Sequence, residues 1–149
     1  KMGNTAIKPF PSSRSSVSSG KIRICVIGFS LSHHTSRATK LTRLIVSTFP
    51  NQFESWFYFD SKGYKTALET IKNELSEEDK NKFKDHYSSP FCWLEFSDKS
   101  EIQGIGGRDR LCEWALNQFS TNNEIKTLAE TEPSLVEAWV DETPGTSQK

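Results

Sequence analysis

The chain has 149 residues, of which 34% are hydrophobic and 26% are charged, a composition that suits one globular domain with its own core. Its 19 Lys and Arg residues balance 19 Asp and Glu residues, which excludes an overall field that would gather nucleic acid or an anionic membrane surface. The longest apolar runs are far shorter than the roughly 20 residues of a membrane-spanning helix. We therefore expect no nucleic-acid partner, no membrane span and a cytoplasmic protein.

Both ends of the chain have the composition of tails. Residues 1–20 contain six serines, two prolines and three basic residues without one acid, which is typical of a flexible segment. The last residues, 143–149, read TPGTSQK and are expected to form a second tail. The folded part of the chain should therefore lie between them.

Alternating strands and helices are predicted from residue 21 onward. The β-branched run KIRICVIGF at 21–29 predicts a mostly buried strand, and apolar residues at three- and four-residue spacing from 38 to 49 predict a helix. The aromatic stretch ESWFYFD at 54–60 predicts a second strand, with two of its four consecutive aromatic residues on each face. A second amphipathic helix is predicted over 61–75.

The second half of the chain predicts a hairpin and further helices. The charged segment 76–88 is typical of a solvated connector or short helix. PFCWLEF at 90–96 and SEIQGI at 100–105 have the spacing of a hairpin, and a helix follows over 106–119. Residues 121–142 predict an additional C-terminal helix. Because a βαβ unit gives a parallel pair and a hairpin an antiparallel one, the expected fold is α/β, a four-stranded mixed sheet flanked by helices.

The order of elements and two short motifs resemble glutaredoxin-like domains of the thioredoxin superfamily. SSP at 88–90 opens the third strand, where members of this superfamily carry a cis-proline. IGGRDRL at 105–111 resembles the glycine-glycine-x-aspartate turn of glutaredoxins. The resemblance implies a thioredoxin-like fold over residues 21–120, followed by the helical extension at 121–142.

The stretch from SSPFCWLEF to TLAETE is also similar to the glutaredoxin-like N-terminal region of malate-dehydrogenase-like proteins of ciliated cells. In those proteins a nucleotide-binding domain follows, so the chain is expected to be either a stand-alone relative or a fragment. The resemblance implies a protein partner, either a dehydrogenase domain or a cytoskeletal, axonemal assembly. It also implies a place in the cytoplasm, with the cilium or flagellum as its specific location.

The turn that would carry the redox CxxC motif of a glutaredoxin has no cysteine. By the resemblance, this degenerate active-site turn consists of Ser32, His33, His34, Thr35, Ser36 and Arg37. Thiol–disulfide exchange requires a thiolate at the start of the following helix, and no cysteine occurs between Cys25 and Cys92. We expect Cys25, Cys92 and Cys112 to be small buried hydrophobic residues. The site is therefore predicted to be redox-inactive, with no catalytic residue, and the chain is not expected to be an enzyme.

The two adjacent histidines, His33 and His34, have three interpretations. A metal site would need two or three further ligands, and His86 is the only other histidine. A general base would need a partner acid and a nucleophile. The favoured interpretation is that both are exposed turn residues, with Ser32 or Thr35 capping the helix. No metal and no other cofactor is expected.

Glutathione binding is the alternative that the resemblance leaves open. Glutaredoxins hold this tripeptide through backbone groups at two turns, which correspond here to Ser89, Pro90, Gly106, Gly107, Arg108 and Asp109. Successive N–H groups at a helix start cradle a carboxylate, and glycines permit a close approach. Against this, the basic residue that usually precedes the CxxC corresponds to Leu31 or Ser32. The expected function is thus a protein-binding or structural module, and a glutathione-transferase-type enzyme using Ser32 is the alternative.

Overall fold

The computed structural model describes residues 10–11, 14–131 and the backbone of 146–148, and these contain five helices and five strands. The elements are β1 (Ile22–Gly28), α1 (His33–Thr48), β2 (Phe53–Phe59), α2 (Tyr64–Glu74), α3 (Glu77–Lys82), β3 (Phe91–Phe96), β4 (Gln103–Gly106), α4 (Arg108–Gln118), α5 (Asn123–Glu130) and β5 (Thr146–Gln148). None of the helices in this described part is long and apolar enough to cross a membrane.

The strands form one mixed sheet in the order β4-β3-β1-β2-β5. β1 and β2 are parallel, whereas β3 is antiparallel to β1 and β4 is antiparallel to β3. This four-stranded core with one parallel pair and flanking helices confirms the predicted α/β, thioredoxin-like fold. β5 adds a short antiparallel edge strand beside β2, at residues where the composition predicted a tail.

Helices cover both faces of the sheet. α1, α4 and α5 enclose one core with alternate residues of the strands, and α2 encloses a second core on the opposite face. Consecutive aromatics of β2 alternate between the two cores: Trp56 and Tyr58 lie on the α2 side, and Phe57 and Phe59 on the α1 side. The prediction of two aromatics on each face is confirmed, because each side chain is at most 1% exposed.

The segment before β1 packs on the sheet, although its composition predicted a flexible tail over 1–20. The Phe10 ring packs at right angles to the rings of Trp56 and Tyr58, and the Arg14 side chain is only 11% exposed. A turn closed by the Lys21 N–H and the Ser18 carbonyl leads from this segment into β1. An arginine and a phenylalanine that bury against aromatic side chains thus order a stretch that serine content alone classed as tail.

Some predicted boundaries differ from the structure. β4 starts at Gln103 and ends at Gly106, later than the predicted strand at 100–105. The predicted helical extension at 121–142 is represented by α5, and its residues from 132 onward lie outside the described part of the chain.

Candidate functional site

The predicted active-site turn and the two predicted ligand turns meet at one cleft beyond the carboxyl end of β1. The cleft has a volume of about 380 Å³ and is lined by His34, Ser88, Ser89, Pro90, Gly107, Arg108, Asp109 and Arg110. α1 and α4 both begin at its wall, so the positive ends of two helix dipoles face the same space. The geometry therefore favours a ligand that presents carbonyl or carboxylate oxygens.

One wall of the cleft is the peptide between Ser89 and Pro90, which is cis, as the resemblance predicted. The buried hydroxyl of Tyr64 in α2 donates a hydrogen bond to the Ser88 carbonyl. Burial, together with the nearby Cys92, raises the pKa of the Tyr64 hydroxyl, which keeps it protonated as a donor. This wall is thus attached to α2 by a buried side chain.

The loop before the cis peptide is held by a second side chain of α2. The Lys72 ammonium donates to the carbonyls of Lys84 and His86, at 3.1 and 3.0 Å. The ring nitrogen Nε2 of His86 lies 3.2 Å from the Pro90 carbonyl oxygen. Burial lowers the pKa of His86 and outweighs the hydrogen bonds to the backbone of Pro90 and Ser88, which raise it; the charge of Lys72 adds a smaller lowering effect. The cleft wall is therefore positioned before any ligand arrives.

Ser89 lines the cleft, and its hydroxyl pairs with a buried hydroxyl beneath it. The Ser89 hydroxyl accepts a hydrogen bond from the Phe29 N–H at 2.8 Å and lies 3.0 Å from the Thr35 hydroxyl. Gly28 closes the cluster, because a Cβ there would lie 2.6 Å from Thr35 Oγ1 and 2.8 Å from Ser89 Oγ. β1, α1 and the turn into β3 thus converge on a hydroxyl pair beside the cis peptide.

The two histidines occupy the first turn of α1. His34 faces the cleft, where its Nδ1 accepts a hydrogen bond from Arg108 Nε at 2.9 Å, and the ring centroids of His33 and His34 are 4.1 Å apart. Both side chains are half-buried, so the prediction that they are exposed turn residues is wrong. The physical reason is Arg108, whose side chain reaches across from α4 to His34. Within the described part of the chain, no group of three or more His, Cys, Asp or Glu side chains could hold a metal.

The other members of the predicted turn do not line the cleft. Ser32 caps α1, accepting the Thr35 N–H at 3.2 Å, as one interpretation predicted. Ser36 is buried beneath the turn, at 4% exposure. Arg37 points away from the cleft and donates to the carbonyls of Leu128, at 3.0 Å, and Thr131, which attaches α1 to the end of α5.

The glycine-rich turn places its residues at the opposite wall. Gly106 has a φ of 124°, in the region that favours glycine, and Gly107 is the N-terminal cap of α4. Arg108 is mostly buried and pairs with Asp109 at 2.8 Å, whereas the Asp109 side chain is 83% exposed on the rim. The basic group, rather than the carboxylate, therefore dominates the interior of the cleft.

The cysteines are free and buried, as predicted, and none lines the cleft. Burial raises the pKa of the Cys25 thiol well above its usual value, and the nearby Glu95 adds to the effect. Burial likewise raises the pKa of Cys92, together with the neighbouring Cys112. These thiols are therefore poor sources of a thiolate.

Sequence reasoning missed three contributors to the cleft, namely Ser88, Arg110 and Tyr64. Ser88 and Arg110 belong to the two quoted motifs, SSP and IGGRDRL, but were not among the predicted ligand-binding residues. Tyr64 falls on the apolar face of the predicted second helix. That spacing predicts burial of the ring but not the hydrogen-bond partner of its hydroxyl group. The polar contact depends on the tertiary packing of α2 against the turn into β3.

Comparison with known proteins adds no relative. No protein-family model matches the chain, and searches of curated proteins and of solved structures each found no match.

Proposed function

We propose that the chain is a redox-inactive glutaredoxin-like module whose cleft binds a segment of another protein. The observation that carries this proposal is the start of α1, where the resemblance expects a nucleophilic sulfur: the His34 imidazole lines the cleft there, and the Thr35 hydroxyl lies 3.0 Å from that of Ser89. Neither an imidazole nor a hydroxyl performs thiol–disulfide exchange, because that reaction requires a thiolate. Binding is then the function that the retained cleft can serve.

An extended peptide suits the cleft because backbone groups stand open beside the cis-proline. Among the described residues, none hydrogen-bonds the backbone N–H or C=O of Ser89, although Ser89 lines the cleft. Such groups can pair with the main chain of a bound segment in the manner of an added strand. Phe29, whose N–H bonds the Ser89 hydroxyl, and Tyr87, which precedes the lining residue Ser88, are 39% and 61% exposed and offer apolar contacts to the same segment.

The redox part of the proposal is tested in a glutathione-coupled disulfide reduction assay. The wild-type chain is expected to give no turnover above the buffer blank. Robust turnover that persists in the Ser89→Ala variant would contradict the proposal, because it would show a reducing centre elsewhere in the chain. Turnover that is lost in that variant would contradict the assignment of the cleft as inactive.

The binding part is tested by capturing partners from an extract of ciliated cells. We propose a dehydrogenase domain or an axonemal assembly as the partner, in the cytoplasm of the cilium, which the resemblance to malate-dehydrogenase-like proteins supports. Arg108→Glu reverses the charge inside the cleft and is expected to abolish capture. Arg43→Glu is the matched control, because Arg43 stacks on Phe57 away from the cleft and should retain the partner. Equal capture by both variants would contradict binding at the cleft.

Glutathione binding is the second candidate, favoured by the Gly107 cap of α4 and the adjacent Arg108, which suit a carboxylate. Against a transferase-type enzyme, the Ser32 hydroxyl is engaged in capping α1. Isothermal titration with millimolar glutathione separates the two candidates. Absence of heat excludes glutathione, and heat that disappears in Arg108→Glu favours it over a protein segment.

A further inference from the structure

A second charged cluster lies at the opposite end of β1 from the cleft. Arg23 stands opposite Glu54 of β2 and Glu95 of β3 in the two strand registers. Its Nη2 lies 2.5 Å from Glu95 Oε1 and its Nη1 lies 3.4 Å from Glu54 Oε2, and all three side chains are at most 8% exposed. This buried charge row, consisting of Arg23, Glu54 and Glu95, contains one positive and two negative charges.

Arg14 brings the second positive charge from outside the sheet. Its Nε lies 2.6 Å from Glu95 Oε2, and its Nη2 lies 2.7 Å from Glu74 Oε1 of α2. The guanidinium carbon lies 5.6 Å from the ring centroid of Trp56 and 5.7 Å from that of Trp93. We refer to Glu74, Glu95, Trp56 and Trp93 as the arginine box, because its carboxylates and indole rings match a planar guanidinium better than an ammonium group.

The box and its occupant come from different parts of the chain. The four box residues belong to β2, β3 and α2, whereas Arg14 lies in an irregular segment before β1. Two further contacts to this segment reach its backbone: Arg23 Nη2 lies 2.6 Å from the Ser15 carbonyl oxygen, and the Ser18 N–H lies 3.4 Å from Glu54 Oε1. Because backbone groups make these contacts, another extended peptide with an arginine at the same place can make them too.

The surroundings of the box give an extended ligand room. A cavity of about 670 Å³ opens beside Arg14 and is also lined by Ser97, Lys99 and Ser100. Four residues before Arg14, the Phe10 ring contacts Trp56 and Tyr58, with centroid distances of 5.8 and 5.1 Å. The surface thus accepts an aromatic side chain and, four positions later, an arginine.

We propose that the arginine box is a binding site for an arginine-bearing extended peptide and that Phe10 and residues 14–18 occupy it in cis as an exchangeable ligand. A ligand joined to its site by a short linker has an effective concentration in the millimolar range. A peptide in trans therefore gains access when the contacts of the cis segment are weakened. The proposal does not rest on the proposed function, because the box and the cleft share no residue.

The test uses full-length chains and a fluorescent peptide of residues 8–19, KPFPSSRSSVSS. Arg14→Ala empties the box, and by anisotropy it is expected to bind the peptide at least about tenfold more tightly than the wild type, whose box is occupied. Arg14→Lys retains the charge but not the planar fork and should show a smaller gain of the same sign. Arg43→Ala, which removes an arginine from the Phe57 ring on the other face, should match the wild type.

Two further arms make the test specific for guanidinium recognition. A peptide with alanine in place of its arginine should not bind any variant. Adding Glu74→Gln to Arg14→Ala should weaken binding at least about threefold, because one of the two carboxylates is neutralised. Equal affinity of the wild type and Arg14→Ala, or equal binding of the alanine peptide, overturns the proposal. If Arg14→Ala lacks native circular dichroism, the same comparison is made with Arg14→Lys, and no gain there overturns it.

Discussion

At the scale of single residues, the close packing around Gly28 beneath the cleft leaves no space for a Cβ atom. Gly28 has no positive φ, so its need for glycine comes from contact with Thr35 and Ser89 rather than from backbone conformation. Gly28→Ala would bring Cβ within 2.6 Å of Thr35 Oγ1, so we expect a loss of about 1–3 kcal/mol in the free energy of unfolding, measured by urea denaturation. In a Thr35→Ala background the same substitution should cost less, since the nearest obstacle is gone. Equal costs in both backgrounds would contradict the contact.

Two threonines of α1 provide a matched pair for the energetics of buried hydroxyls. Among the described residues, Thr42 Oγ1 is buried without a hydrogen-bond partner, whereas the buried Thr39 Oγ1 donates to the Thr35 carbonyl at 2.8 Å. Thr42→Val removes an unpaired polar atom and is expected to raise the free energy of unfolding by about 1 kcal/mol. Thr39→Val removes a hydrogen bond and is expected to lower it by about 1 kcal/mol. Urea denaturation of both variants gives the two signs, and the same sign in both would contradict the assignment.

At the scale of single elements, the stability of α1 depends on its N-terminal cap, Ser32. The Ser32 hydroxyl accepts the Thr35 N–H, and the first turn of the helix contains no acidic residue that would otherwise favour the dipole. Ser32→Ala is expected to cost about 1 kcal/mol of unfolding free energy, and Ser32→Asp should restore it, because aspartate caps equally well and adds a favourable charge. Urea denaturation measures both. A loss that Ser32→Asp does not restore would contradict a capping role.

The sequence pattern predicted the secondary structure of an element correctly where burial alone determines which residues are apolar. The β-branched run of β1 and the aromatic run of β2 predicted both strands, because strands buried on both faces of a sheet are mostly apolar. The positions of His34 and Arg37 could not be predicted, since each depends on a partner from another element: Arg108 in α4 for His34, and the carbonyls at the end of α5 for Arg37. A polar turn in sequence does not show which of its side chains a distant helix will recruit.

At the scale of the whole molecule, the cleft and the arginine box lie at opposite ends of β1, and only the cleft could be predicted from the sequence. The cleft could be anticipated because its residues fall in two short motifs with a known structural context, SSP and GGRD. The arginine box could not, because its four residues are distributed over β2, β3 and α2 and come together only through strand register and the packing of α2. Its occupant lies in a serine-rich stretch, and serine content conceals the one arginine and one phenylalanine that attach this segment to the domain.

The same cluster connects the pH dependence of folding to the N-terminal segment. Burial raises the pKa of Glu95, but the charge of Arg14 and hydrogen bonds from Trp93 and Arg23 outweigh burial and hold this pKa below its ordinary value of 4.5. The unfolded chain therefore binds a proton at this carboxyl more readily than the folded chain does. The stabilisation is fully present above about pH 4.5 and is lost as the pH falls through the lower pKa of the folded state.

Glu95→Gln should flatten the loss of unfolding free energy below about pH 4.5, measured by urea denaturation at successive pH values. Arg14→Ala should flatten the same region in part, because it removes the strongest of the groups that lower this pKa. His86, whose pKa is lowered mainly by burial, gives a separate loss that begins below its ordinary value of 6.5, and this upper region should be unchanged in both variants. If the loss of unfolding free energy below about pH 4.5 is the same in Arg14→Ala as in the wild type, Arg14 does not pair with the Glu95 carboxylate in solution.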